Sequence, residues 1–92
     1  MNIGLLTLEI VIPYAQSLKD KRHVIRSLRD RVKKFNVSIS ECDHQDLWQR
    51  STLGIVAIAA NHTILEQILQ KVNREAEKLL NGNLGNSQIE YL

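Results

Sequence analysis

A chain of 92 residues has room for one modest hydrophobic core, and 43% apolar residues is the composition of a folded domain rather than a disordered one. No apolar run approaches the roughly 20 residues needed to cross a bilayer, and the start of the chain lacks the basic n-region and small-residue cleavage site of a secretory leader. The single cysteine, Cys42, has no internal disulfide partner. One cytoplasmic domain over residues 1–92, with no membrane association, is therefore expected. The net charge of +2 conceals an imbalance: Ser17–Lys34 holds eight basic and two acidic residues, a local +6, and the remainder carries −4.

Ile3–Ile12 (IGLLTLEIVI) is almost continuously apolar and β-branched at several positions, which predicts a strand partly covered on both faces and closed by Pro13. Ser17 then caps a helix, with Asp20 placed to favour the positive end of its dipole. Leu18, Ile25, Leu28 and Val32 share one face of it, Val24 borders that face, and the helix is expected to end near Lys33 or Lys34. Lys21 projects toward the apolar side, where it would snorkel or pair with a strand carboxylate such as Glu41.

Phe35–Cys42 (FNVSISEC) alternates apolar and polar residues, the pattern of a half-exposed edge strand. A polar connection, Asp43–Ser51, holds the one tryptophan, and Thr52–Ala60 (TLGIVAIAA) reads as a second central strand. Asn61 or Thr63 caps a second helix, Thr63 with Glu66 fitting a capping box. Its stripe is Ile64, Leu65, Ile68, Leu69, Val72, Ala76, Leu79 and Leu80, and Gly82 stands where a left-handed C-terminal residue is expected. Gln88–Leu92 predicts a short last strand.

Strand, helix, strand, strand, helix, strand is the order of an α+β ferredoxin-like βαββαβ sandwich. The implied antiparallel sheet has order 4-1-3-2 and both helices on one face. The most continuously apolar strands are the first and third, as that order requires. The other sheet face then keeps aliphatic side chains, which leaves two readings open: a homodimer through that face or an edge strand, or a loop carrying Trp48 folded back across it.

On the first helix Lys19, Arg22, Arg26, Arg29 and Lys33 fall within an arc of roughly 80° at about 100° per residue. Five cations with no acid among them suit a phosphate backbone, and the bland alternative is an ordinary solvated face. Asp43, His44 and Asp46 have the residue types of metal ligands, or of a His44 base oriented by a carboxylate, but three donors in one polar loop are common by chance. A structural loop is the better reading, with Asp43 and Asp46 bonding turn amides and Trp48 as anchor. Phosphate-loop, dinucleotide and nucleophile-elbow patterns are absent, and so is any arginine-rich cradle in the PYAQS connection, so no enzyme, cofactor or metal is expected. The central strands hold no aromatic residue, and with 4% aromatics single-stranded base stacking is not expected either.

Two strings, SLKDKRHVIRSL (Ser17–Leu28) and FNVSISECDHQDLWQRSTLGIV (Phe35–Val56), resemble the YlxP-like family of small uncharacterised bacterial proteins. The resemblance covers essentially the whole chain, though nothing after Gly82 matches a family motif and Cys42 stands where a small aliphatic residue is expected. It implies a ferredoxin-like fold, no established activity, and genes that sit beside those of a translation initiation factor and a ribosome-binding factor. The residues it marks are Ser17, Leu18, Lys19, Lys21, Arg22, Asp43, His44, Gln45, Asp46, Leu47, Trp48 and Gln49. Two functions follow as expectations. One is a non-enzymatic accessory protein contacting RNA or the ribosome through the basic helix; the other is a dimeric protein-interaction or small-ligand module.

Overall fold

The computed structural model describes residues 1–92, in the order β1 (Asn2–Val11), α1 (Leu18–Val32), β2 (Ser38–Asp43), β3 (Arg50–Ala59), α2 (His62–Leu80) and β4 (Leu84–Tyr91). The strands form one antiparallel sheet ordered β2-β3-β1-β4, which is the expected 4-1-3-2 arrangement counted from the other edge.

The central pair sets the register of the core. Leu6 lies opposite Ile55 and Leu8 opposite Leu53, and all four are fully buried. Ile25, Leu28 and Val32 of α1, with Leu65, Leu69, Val72, Ala76 and Leu80 of α2, close over the same face in one cluster. Both helices therefore cover one side of the sheet. Gly4 lets α2 seat closely, because a Cβ there would fall 2.7 Å from Leu69 Cδ1.

The first helix begins as its sequence specifies. Ser17 Oγ accepts from the Asp20 amide at 3.1 Å, and Asp20 Oδ2 accepts from the Gln16 amide at 2.9 Å. Both bonds go to amides that the helix cannot satisfy internally, the second to the residue before the cap. For α2 the cap is Asn61, whose Oδ1 accepts from the Ile64 amide at 2.9 Å. The Thr63–Glu66 box does not form, since Glu66 instead accepts from Gln70 at 3.3 Å and faces His62 at 3.5 Å.

Boundaries shift where the backbone turns sharply. Phe35 is not in β2: it closes a 3-10 turn over Lys33–Phe35, and Asn36 then adopts φ 60°, so β2 starts at Ser38. The left-handed cap of α2 is Asn81 (φ 46°), one residue ahead of the expected Gly82 (φ 93°). The last strand starts at Leu84 rather than Gln88, and Gly85 is an extra residue in a bulge against Glu9 and Ile10.

Candidate functional site

The register of α1 separates its two faces. Lys21, Ile25, Leu28 and Val32 point inward, and Lys19, Arg22, Arg26, Arg29 and Lys33 are all exposed. The ion pairs of the molecule are Lys21–Glu41, Arg31–Glu75, Lys34–Glu75 and His62–Glu66. None involves the five strip residues, so Arg31 and Lys34 are bridged to α2 while the strip is left without a carboxylate. Arg22, Arg26 and Arg29 line a groove of about 220 Å³ with Ile25 and Glu41, which places them along the β2 edge of the sheet. Glu41, the one acid in this groove, is already engaged by Lys21 Nζ at 2.8 Å and Ser51 Oγ at 2.6 Å.

Lys21 joins the helix to the loop after β2. Its side chain is only 1% exposed. Its ammonium donates to His44 O at 2.7 Å and to Gln45 O and Arg50 O at 3.4 Å each. A buried ammonium needs several acceptors and a counter-charge to offset lost hydration, and the loop carbonyls and Glu41 provide both. The loop is also held from the other side: Gln49 Nε2 donates to Pro13 O at 3.1 Å and Ala15 O at 3.2 Å, and the Ile12 amide donates to Gln49 O at 2.9 Å.

These contacts account for much of the DHQDLWQ string. Asp43 Oδ1 accepts from the His44 amide at 2.7 Å, His44 takes φ 62°, and the Leu47 amide closes a turn on His44 O at 3.1 Å. The bond between Asp43 and His44 thus uses the backbone, not the imidazole. Asp43, His44 and Asp46 do not converge as ligands, and no three His, Cys, Asp or Glu side chains are grouped to hold a metal. Trp48 is not the anchor expected of it. It is 50% exposed and Leu47 46%, while Lys21 and Gln49 fasten the loop. The loop therefore leaves Val56 (43% exposed) and Ile58 (57%) uncovered on the far sheet face, where register places them beside Leu5 and Ile3.

The sequence pointed to Lys21 and Glu41, and the family resemblance marked Gln49 without giving it a role, but nothing pointed to Ser51. Ser51 follows the same alternation as Leu53 and Ile55, and a polar residue at such a buried position was the available signal. Gln49 acts across the molecule on Pro13 and Ala15, and local pattern carries no trace of that.

No helix is long and apolar enough to cross a membrane. Among solved structures, the chain superposes on the designed protein Ferredog-Diesel with a TM-score of 0.63 at 10% identity, covering 96% of this chain and 83% of that one. It superposes on SnoaB, a cofactor-independent oxygenase from Streptomyces nogalater, with a TM-score of 0.55 at 13% identity, covering 99% and 90%. Identities this low establish the ferredoxin-like fold alone. In sequence, the chain is 46% identical over 71 residues to the uncharacterised protein YlxP of Bacillus subtilis (strain 168), covering 76% of this chain and 77% of that protein. The family model described as a protein of unknown function (DUF503) matches residues 3–88. The chain, with its pinned loop and cationic helix, therefore belongs to the DUF503 family of YlxP-like proteins.

Proposed function

We propose that this protein is a non-enzymatic accessory factor that binds structured RNA, free or on a ribosomal surface, through the exposed strip of α1. One observation carries the reading: Lys19, Arg22, Arg26, Arg29 and Lys33 are exposed on one side of a helix and none is paired with a carboxylate. Cations clustered without partners repel one another, and a polyanion relieves that repulsion while releasing its own counterions. Three of the five are arginines, whose planar fork suits bidentate phosphate contact. The test is the binding of a labelled RNA hairpin across a salt series. With about five phosphates neutralised, log K is expected to fall against log salt with a slope of roughly −4 to −5. Reversing Arg22, Arg26 and Arg29 to Glu is expected to abolish binding. A flat salt dependence, or unchanged binding by the triple variant, overturns the reading.

A second reading rests on the opposite face. Val56 and Ile58 are exposed beside partly buried Ile3 and Leu5, so four aliphatic side chains adjoin on the uncovered side of the two central strands. Such a patch favours a homodimer or an interaction module, with the basic face incidental.

A further inference from the structure

The expectation against base stacking rested on the central strands, which hold no aromatic ring, and on an aromatic content of 4%. The loops differ. Trp48 is 50% exposed, and its segment Asp46–Arg50 lines a groove of about 530 Å³. Tyr14, 62% exposed, lies in the connection to which Gln49 is hydrogen-bonded through Pro13 O and Ala15 O. Trp48 is thus half exposed on a loop that is fastened at both ends, by Lys21 on His44, Gln45 and Arg50 and by Gln49 on the preceding connection. A loop fastened this way loses little further backbone freedom when something packs on it.

Position along α1 narrows the choice of partner. Lys21 Nζ lies 2.8 Å from Glu41 Oε2, whose residue lines the arginine groove, and 3.4 Å from Arg50 O, whose residue lines the Trp48 groove, so the two grooves meet at one buried ammonium. Asp46 and Arg50 both line the Trp48 groove, so it carries no net charge, in contrast to the wholly cationic strip. A base, planar and uncharged, suits the groove, with its phosphates toward Arg22. We propose that Trp48 is a stacking platform for an unpaired nucleotide of the RNA whose backbone lies along the strip. This rests on the RNA-binding reading and narrows its ligand to RNA with a single-stranded segment, a loop or a bulge.

The chain has one tryptophan, so its fluorescence reports on this site directly. A short single-stranded RNA and a blunt duplex of equal length are titrated at low salt, with affinity read from the anisotropy of a dye on the RNA. The single strand is expected to quench Trp48 and the duplex to bind without quenching. Trp48→Leu is expected to weaken the single strand roughly tenfold and to leave duplex affinity unchanged. Trp48→Phe is expected to retain most of the affinity, and far-UV circular dichroism verifies that both variants fold. RNA bound with indole emission unaltered, and equally by Trp48→Leu, overturns the stacking role and leaves the RNA-binding reading standing. If the unmodified protein binds neither RNA at low salt, both fall.

Discussion

Lys21 is where one residue has the widest effect. It is buried on the inward face of α1, and its head meets three carbonyls and the Glu41 carboxylate. Lys21→Met retains the stem but strands the carbonyls and leaves Glu41 without a cation. A loss of about 3 kcal/mol is expected, the scale for breaking one side of a buried pair. Glu41→Gln keeps an acceptor for Ser51 Oγ and for the ammonium but leaves the buried cation without a counter-charge, and is expected to cost a similar amount, about 3 kcal/mol. Urea unfolding with an unchanged slope measures both. If Lys21→Met proves as stable as the unmodified protein, the lysine does not hold the loop.

At the scale of the element, α1 serves two purposes that its periodicity keeps apart. Apolar residues and Lys21 face the sheet, and the cationic strip faces solvent along the β2 edge. Its direction is set at Ser17. Losing the bond from the Asp20 amide in Ser17→Ala is expected to lower stability by about 1 kcal/mol, read from the urea midpoint. Because four of the five strip residues lie beyond the first turn, RNA affinity at saturating fold should hardly change. A large loss of affinity in a fully folded Ser17→Ala variant would show that the helix terminus itself contacts the ligand.

At the scale of the whole molecule, the sheet has one roofed face and one open face. The open face is apolar around Ile3, Leu5, Val56 and Ile58, and polar where Thr52 Oγ1 donates to Glu9 Oε2 at 2.7 Å. Burying about 300 Å² of aliphatic surface contributes roughly 7 kcal/mol before the cost of association, enough to make self-pairing a reasonable expectation. Sedimentation at micromolar concentration is expected to give a dimer, and Ile58→Lys a monomer of unchanged fold. A monomeric unmodified protein at that concentration removes the dimer reading and leaves the α1 strip unaffected.

Element order, the central placement of β1 and β3, the grouping of five cations and most of both helices' buried stripes were legible from residue spacing alone, although Ile64, expected in the α2 stripe, is 45% exposed on the first turn of the helix. Each is a local periodicity that burial enforces, and a slip of one residue would turn apolar side chains to water. Lys21 with Glu41 was also legible, because a lysine on an inward helix position must find a counter-charge. Strand ends were less legible, since the 3-10 turn at Phe35 and the left-handed Asn36 continue an apolar–polar alternation without being strand. The exposure of Trp48, the tie from Gln49 to Pro13 and Ala15, and the lack of carboxylate partners along the strip were decided only in the folded chain. They depend on contacts between residues far apart in sequence, where no local spacing rule applies.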